Sequence, residues 1–323
     1  MPSDTPLIVL GETRTCLLPS AVALDRPAAG EFLGLIPGRS VWWRERPGTL
    51  AISPSLAVGV DCLLALRPGP ARVVGTVATN LRLAGGRVLQ SSAGTAVVRA
   101  AEQRRRPWPH YLHRKGTVEV IDSIPARAVA SPMLEDGFLG GTRHGDILDL
   151  GSISERLLAG ARSHPMLDQR PPVRVGATRL RWTARIGGDT GPSISMSLDD
   201  DTTRSVRLVI RDEAGIEDAQ RFCEDLAAHD WLLTVLTALL AEADRFGVAS
   251  RDQLEILSPA LVHLTGLWMP GAHTPASMRT LWKELQTDPG FTRQWNILAA
   301  RIRDGIAVST LEFLRQRALG FDR

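Results

Sequence analysis

The hydrophobic pattern changes along the chain from short alternating runs to a helical period. Between residue 7 and about residue 100, β-favouring runs such as LIVLG, TLAIS and GTAVVRA are separated by Gly and Pro. Runs of this length between turn residues are typical of strands in an antiparallel sheet or barrel. The segment PSAVALDRPAAGEFLGLIPG interrupts the pattern and predicts a short helix that ends at Pro37 and Gly38.

The middle of the chain predicts mixed elements. GTVEVIDSI alternates like a strand, PMLEDGFLGGTRHGD is typical of a loop, and SISERLLAGAR predicts a helix opened by a capping box of Ser152 and Glu155. Pro171 and Pro172 then end any helix. Three further strands follow in VRVGATRLRWTARIG, SISMSL and RSVRLVIR. The acidic DDDTT between the last two lacks the Gly and Glu of a calcium loop, so it predicts a solvated hairpin turn.

From about residue 215 the apolar period becomes 3.6. Leu226, Leu233 and Leu240 follow this spacing, and Gly247 is a natural helix stop. Further helices are predicted near residues 250–268, 275–286 and 293–319. We therefore expect an α+β protein with a β-rich antiparallel N-terminal part, a small β-meander and a C-terminal helical bundle. The predicted domains are residues 1–165, including a basic connecting segment, and residues 166–323.

Composition favours a folded cytoplasmic protein. Of the 323 residues 44% are hydrophobic, which is enough to form a core. The most apolar stretch, WLLTVLTALLAEA, is shorter than the roughly 18 residues of a membrane helix, and the N-terminus lacks the features of a secretory signal. Cys16, Cys62 and Cys223 are widely spaced without a C-x-x-C pair, which argues against disulfides and structural zinc.

Positive charge is concentrated in one region. Residues 1–125 carry 15 Lys+Arg against 9 Asp+Glu, whereas the remainder carries 23 against 26. The stretch RRRPWPHYLHRKG is a candidate anion or nucleic-acid site, because its cations could contact phosphates while its aromatic rings stack on bases. The alternative is a solvated basic surface loop, which we favour. The candidate residues are Arg104, Arg105, Arg106, Trp108, His110, Tyr111, His113, Arg114 and Lys115.

The orientation of Trp108 and Tyr111 distinguishes these alternatives, since inward rings would indicate a loop pinned to the core. Pro107 and Pro109 predict that the segment forms no regular helix until after His110. His110 and His113 stand three residues apart, as two metal ligands on a helix do, but no Cys, Asp or Glu within the segment completes a set. We therefore expect no metal site.

Catalytic motifs are missing from the sequence. It has no Gly-rich phosphate loop, no G-x-G-x-x-G, no G-x-S-x-G and no H-E-x-x-H, which argues against the common enzyme classes that use them. An enzyme of unfamiliar type remains the alternative hypothesis, with a polar cleft around Arg143, His144, Asp146 and Asp149. Cys223 and His229 are six residues apart on one predicted helix, so they should face apart.

One segment suggests a contact with another protein. In LWMPGA, Trp268 and Met269 directly precede Pro and Gly at a predicted helix end. Large apolar side chains at such ends are often partly exposed and can anchor a partner. Packing within the helical bundle is the alternative.

The chain also resembles a known family over nearly its whole length. The resemblance is carried by GETRTCLLP, GTVATNLRLAGGRVLQ, RPWPHYL, LDLGSISERLL, HDWLL, LWMPGA and FTRQW. They resemble an uncharacterised actinobacterial family whose members are encoded beside a variant P-loop protein and a methyltransferase-like protein. The resemblance implies a subunit of a multi-protein bacterial system. We therefore expect a cytoplasmic, non-enzymatic interaction subunit without a cofactor, with the variant P-loop protein as a possible partner.

Overall fold

The computed structural model describes residues 5–66, 69–140, 145–187, 191–246 and 251–321, the last three of them in backbone only. These ranges contain ten strands and eight α-helices. The strands are β1 (Ile8–Leu17), β2 (Trp42–Arg44), β3 (Leu50–Ile52), β4 (Leu56–Leu64), β5 (Ala71–Ala84), β6 (Val88–Arg99), β7 (Thr117–Val120), β8 (Thr178–Ile186), β9 (Ser193–Leu198) and β10 (Thr203–Ile210). The helices are α1 (Arg26–Phe32), α2 (Trp108–Leu112), α3 (Arg127–Leu139), α4 (Leu150–Arg162), α5 (Ile216–Ala243), α6 (Arg251–His263), α7 (Arg279–Thr287) and α8 (Phe291–Phe321).

All ten strands belong to one mixed sheet. Its order is β2-β3-β5-β7-β6-β1-β8-β10-β9, and β4 pairs along β5. β7 lies between the diverging ends of β5 and β6, antiparallel to β5 and parallel to β6. The α+β class is confirmed: most strands lie in the N-terminal half, four helices are inserted among the strands, and the chain after residue 216 is helical. The expected boundary at residue 165 falls between α4 and β8, and the sheet crosses it because β8 pairs with β1.

The last three strands differ from the expected antiparallel meander. β10 lies between β8 and β9 and pairs with β8 in parallel, so only β9 and β10 form a hairpin. The burial of β10 explains this order. Its Val206, Leu208 and Ile210 are fully buried under α5, which suits an inner strand. β9 alternates with serines that are largely exposed, which suits an edge strand.

Helices cover both faces of the sheet. On one face, α5 packs with α6, α7 and α8 over β1, β8 and β10. On the other face, α1, α3 and α4 cover two smaller apolar clusters. Successive side chains of β1 point to opposite faces of the sheet, so this strand contributes to both apolar layers. Val9 and Leu17 face α5, whereas Ile8 and Leu10 face α3. α5 is therefore the central helix of the larger layer.

Two helices form where a loop or a non-helical start was expected. α3 covers most of the predicted loop PMLEDGFLGG and contains Pro132 within the helix. Ala130 and Leu134 are fully buried against the sheet, and packing of this kind overrides weak helix propensity. α2 begins at Trp108 and includes Pro109 in its first turn. Backbone amides in the first turn have no acceptor within the helix, so a proline there costs no hydrogen bond. The expectation of no helix until after His110 is therefore wrong, and only the start of the segment, up to Pro107, precedes the helix.

The predicted capping box of α4 is wrong. The helix begins at Leu150, two residues before Ser152, and its N-cap position is Asp149. The Ser152 hydroxyl donates to Asp149 Oδ2 at 2.6 Å, while Glu155 accepts from Arg14 Nη1 at 2.6 Å. The helix therefore begins two residues earlier than the sequence predicted.

One helical stretch in the described residues, Glu213–Phe246, is long and apolar enough to cross a membrane. It contains α5, and 67% of its most apolar window is buried inside the protein. Its apolar surface is already in contact with the sheet and the neighbouring helices. Burial in the core therefore accounts for its composition.

Candidate functional site

The N-terminal half of α5 crosses a polar part of the sheet. Alternate positions on β1, β5 and β6 point toward α5 here and carry polar side chains instead of the aliphatic ones found under the rest of the helix. These residues are Thr13, Thr15, Asn80, Arg82, Gln90 and Ser92. Buried polar groups require partners. α5 supplies several of them.

A buried ion pair joins the sheet to α5. Arg82 and Glu224 have side chains that are each 3% exposed, and Arg82 Nη1 lies 2.9 Å from Glu224 Oε2. Gln220 Nε2 donates to Glu224 Oε1 at 3.0 Å, and Gln90 Nε2 donates to the Glu224 carbonyl at 2.9 Å. Because both charges are desolvated, removing either partner would leave a buried charge uncompensated. This pair fixes where α5 lies on β5 and β6.

Beside the ion pair lies a cavity of about 440 Å³, which we call the α5 cavity. β5 forms its floor, β2, β3 and α5 form its walls, and the segment after α6 closes one side. Its lining residues are Trp42, Arg44, Leu50, Ile52, Ser53, Ser55, Ala78, Asn80, Arg82, Glu217, Gln220, Arg221, Glu224, His273 and Pro275. The cavity thus combines apolar side chains on the walls from β2 and β3 with polar side chains on the floor and on the α5 wall.

Several buried polar atoms around the α5 cavity have no hydrogen-bond partner among the residues that the structure describes. They are Arg82 Nε, Asn80 Oδ1 and His273 Nδ1. Arg82 Nη1 also makes no hydrogen bond, so its 2.9 Å contact with Glu224 is an ion pair without hydrogen-bond geometry. Unpaired buried polar groups each cost about 1–3 kcal/mol. Such groups commonly mark a place where another molecule supplies the missing partner.

The arginines and glutamates that line the α5 cavity carry one net positive charge. Arg82 pairs with Glu224, and Arg221 pairs with Glu217. Arg44 contacts a backbone carbonyl, that of Ala272, at 3.4 Å and has no carboxylate partner in the described part of the chain. Burial, together with the positive charges of Arg82 and Arg44, lowers the pKa of His273 to about 4, so its ring is neutral near pH 7. The surplus charge is therefore that of Arg44.

The segment that closes the α5 cavity is held to α5 by a hydrogen-bonded chain. Trp282 Nε1 donates to Thr274 Oγ1 at 2.8 Å, and Thr274 Oγ1 donates to Asp225 Oδ2 at 2.8 Å. The Met269 amide donates to His229 Nε2 at 3.1 Å, so this nitrogen must be unprotonated. His229 Nδ1 then carries the proton and donates to the Asp225 carbonyl at 2.7 Å. His229 thus has a structural role.

Sequence reasoning did not identify this site. Arg82, Glu224 and His273 are distant in sequence, and none belongs to a recognised motif. Two signals were present, however. Arg82 interrupts the β-favouring run ATNLRLAGG, and Glu224 with Asp225 interrupts the apolar stretch of α5. Charged residues on the buried face of an element indicate a buried pair, but only the tertiary structure shows which charges meet.

The basic segment is attached to the core by Tyr111. This ring is 1% exposed, and its hydroxyl accepts a hydrogen bond from the Arg106 amide at 2.8 Å. Trp108 is 36% exposed, packs edge-on against Tyr111 and has Arg105 stacked over its ring at 5.6 Å. Of the two rings that distinguish the alternatives, Tyr111 therefore points into the core, whereas Trp108 lies at the surface beside Arg105.

Acidic neighbours surround the cations of this segment. Arg104 and Arg106 both contact Glu102, at 2.5 and 2.6 Å. Arg105 Nε lies 3.1 Å from Asp61. Such pairs reduce the local positive field that a phosphate would meet. Whether the segment binds nucleic acid stays a prediction.

The two histidines of the segment do not converge on one point. His110 Nε2 and Arg114 Nη1 lie 2.8 and 2.9 Å from Glu119, whereas His113 Nδ1 contacts the Pro109 carbonyl at 2.5 Å. Lys115 is exposed. In the described ranges, no group of three or more His, Cys, Asp and Glu side chains is placed to hold a metal ion.

Trp268 and Met269 are partly buried. The Trp268 ring stacks on Trp295 with centroids 4.4 Å apart and packs edge-on against His229. The Met269 side chain approaches Gly48, while its amide is bound by His229. These contacts account for part of both side chains, and the remainder is accessible. Their proposed contact with a partner stays a prediction.

The alternative polar cleft is only partly described. Arg143 and His144 lie outside the described residues. The Asp146 carbonyl accepts from the Leu63 amide at 2.8 Å, and Asp149 accepts from Ser152 at the start of α4. Both described aspartates therefore contribute to local structure. Cys223 is fully buried within α5, and burial raises the pKa of its thiol, as expected for a structural cysteine.

The outer face of α8 is exposed and carries aliphatic side chains beside charged ones. Its inner face buries Trp295, Ile302 and Ser309, and the Ser309 hydroxyl donates to Gln253 of α6 at 2.7 Å. Four aliphatic side chains lie on the outer side with exposed fractions of 56, 45, 68 and 55%: Ile297, Val308, Leu311 and Leu314. Isolated exposed aliphatic residues are ordinary, but a row of them along one helix indicates an interaction surface.

Comparisons with known proteins found no match. No family model matches the chain, and neither the curated proteins nor the solved structures contain a significant relative.

Proposed function

We propose that the protein is a cytoplasmic, non-enzymatic interaction subunit of a multi-protein bacterial system that assembles through the outer face of α8. The observation that carries this proposal is the row of exposed aliphatic residues there. Five residues on this side of α8 are spaced by three, four, three and four positions, so they share one face of the helix. They are Arg301, Asp304, Val308, Leu311 and Arg315. This spacing is that of a coiled-coil seam.

The charges on this seam favour a second copy of the chain as the occupant. In an antiparallel pair of α8 helices centred between Val308 and Leu311, Val308 lies opposite Leu311 of the other copy. Asp304 then lies opposite Arg315 of the other copy, and the symmetry repeats both contacts. The seam is therefore self-complementary in both apolar character and charge. We commit to the second copy as the partner at α8.

The experiment measures self-association by light scattering and sedimentation at increasing protein concentration. We expect a concentration-dependent dimer that Leu311→Asp abolishes, because the substitution places a charge at the centre of the apolar seam. Val22→Asp is the matched control, since Val22 is 71% exposed and lies outside α8. It should leave the dimer unchanged.

A charge exchange tests the antiparallel register. Asp304→Arg and Arg315→Asp should each weaken the dimer by about tenfold, because each places like charges opposite one another. The double variant restores opposite charges and should recover most of the affinity. A wild-type chain that stays monomeric at every concentration would contradict the proposal. So would a double variant no better than the singles.

The same variants also test whether a different protein, instead of a second copy of the chain, binds at α8. The resemblance points to a variant P-loop protein, for which Trp268 and Met269 are the proposed contact. If that protein binds the monomer and Leu311→Asp removes its binding, it replaces the second copy as the occupant of α8. If Trp268→Ala alone removes its binding, the two surfaces serve two different partners. The enzyme and nucleic-acid hypotheses have no comparable observation in their favour.

A further inference from the structure

We propose that the α5 cavity is a binding site for a small planar heterocycle that carries one negative group, with the size and chemistry of a nucleoside monophosphate. This site is separate from α8 and does not depend on self-association. The cavity offers unpaired polar atoms on its floor, aromatic and aliphatic side chains on its walls, and a surplus positive charge.

The floor of the α5 cavity requires a donor and an acceptor from the same ligand. Arg82 is almost fully buried, and within the described ranges its Nε has no acceptor and Asn80 Oδ1 has no donor. Asn80 and Arg82 are two residues apart on β5, so their side chains lie on the same face of the sheet and their Cα atoms are about 7 Å apart. A ring with an acceptor and an N–H on one edge can supply both partners. Purine bases have such edges and pair with Arg and Asn side chains in this way.

The walls of the cavity suit a flat ring. Leu50, Ile52 and Pro275 provide aliphatic surface, and the indole of Trp42 stands at the mouth with half of its surface exposed. An exposed indole beside a cavity offers a stacking surface, and stacking of a base on an aromatic ring contributes about 1–3 kcal/mol. The cavity volume of about 440 Å³ lies within the range of sites that enclose small molecules.

The charge of the cavity limits the ligand to one negative group. Three arginines and two glutamates line it, which leaves one positive charge. Arg44 carries that charge at the exposed end of the cavity, where its guanidinium can reach a phosphate outside the floor. His273 is neutral near pH 7 and does not add to it. Arg82 and Arg221 are already paired with Glu224 and Glu217, so a second anionic group would find no further unpaired cation among the described lining residues.

The test is calorimetric titration of the full chain with AMP, GMP, adenosine, guanosine and orthophosphate. We expect one of the two nucleotides to bind, and its nucleoside to bind about tenfold more weakly. Arg44→Ala should weaken the nucleotide by about tenfold and leave the nucleoside unchanged, because it removes only the contact with the phosphate. Arg39→Ala is the matched control: Arg39 is exposed near β2 but does not line the cavity, and its loss should change neither affinity.

A second variant tests the floor. Asn80→Ala should weaken nucleotide and nucleoside alike by about tenfold, and its thermal denaturation establishes that the fold is retained. The proposal is overturned if neither nucleotide binds at millimolar concentration. It is also overturned if orthophosphate displaces the nucleotide completely at similar concentration, which would indicate an anion site without base recognition. Binding that survives both Arg44→Ala and Asn80→Ala would place the ligand elsewhere.

Discussion

At the scale of single residues, Gly11 controls how Trp182 packs between the sheet and α5. The two residues are neighbours across β1 and β8, and the fully buried indole lies over the glycine. A Cβ atom at position 11 would overlap the indole ring. Glycine is therefore required here for space rather than for an unusual backbone angle.

We expect Gly11→Ala to destabilise the protein by about 3 kcal/mol, because a rigid ring in a packed core cannot move aside cheaply. Gly160→Ala is the matched control, since a Cβ there meets nothing within 4 Å and the residue lies on the exposed side of α4. It should stabilise by about 0.5–1 kcal/mol by favouring the helix. Urea denaturation of both variants measures the difference; equal effects would contradict the packing argument.

Titration of His273 should make the stability of the protein depend on pH. Burial lowers the pKa of its imidazole from 6.5 to about 4, so folding favours the neutral ring. The stabilisation is fully present above pH 6.5 and is lost as the pH falls through about 4. His273→Gln removes the titrating group. Between pH 7 and pH 4.5 the wild type should lose about 1 kcal/mol more stability than the variant, after allowance for partial solvent exposure. Parallel stability curves over this range would refute the assignment.

At the scale of elements, α2 shows how a charged segment is held at the surface. Its five residues are too few to be stable alone, so the buried Tyr111 ring must hold the turn in place. The Tyr111 hydroxyl also accepts from the Arg106 amide, which fixes the chain just before the helix. The arginines stay outside because burying their charges would cost far more than the ring gains.

We expect Tyr111→Phe to cost about 1 kcal/mol, since it removes one hydrogen bond and leaves the Arg106 amide without its partner. Tyr111→Ala should cost about 3–5 kcal/mol because it also leaves a cavity. Leu112→Ala is the control, as Leu112 is 52% exposed and its truncation should have little effect. Thermal denaturation measures all three. A Tyr111→Ala variant as stable as Leu112→Ala would show that the ring does not anchor the segment.

At the scale of the whole molecule, one sheet connects the two halves of the chain. β1 pairs with β6 on one side and with β8 on the other, so residues before and after position 165 share a ladder of hydrogen bonds. α5 then packs across β1, β6, β8 and β10. The Arg82–Glu224 pair adds a buried ionic contact between the same two halves.

We therefore expect a single cooperative unfolding transition, with calorimetric and van't Hoff enthalpies that agree. Residues 1–165 expressed alone should fail to fold, because β1 would become an exposed edge and one face of the sheet would lose α5. Mixing that fragment with residues 166–323 should recover structure. Two separate transitions, or a folded isolated fragment, would establish independent halves instead.

The sequence by itself determined the local elements whose pattern agrees with their packing. The shift from short β-favouring runs to a 3.6-residue period predicted strands early in the chain and helices after residue 216, because one face of each such element must be buried. The short helix before Pro37 was predicted for similar local reasons, and α1 occupies Arg26–Phe32. The turn at DDDTT is found between β9 and β10, with Asp200 accepting from the Thr202 and Thr203 amides.

Tertiary structure decided what depends on contacts between distant residues. α3 forms despite Pro132 because Ala130 and Leu134 gain burial against the sheet, which no local propensity records. β10 takes an inner position beside β8 because α5 covers its aliphatic face. The α5 cavity exists because Arg82 and Glu224, 142 positions apart, are brought within 2.9 Å. Pairing between charges at such separation depends on the register of strands and the placement of a helix, and neither is encoded in the neighbourhood of either residue.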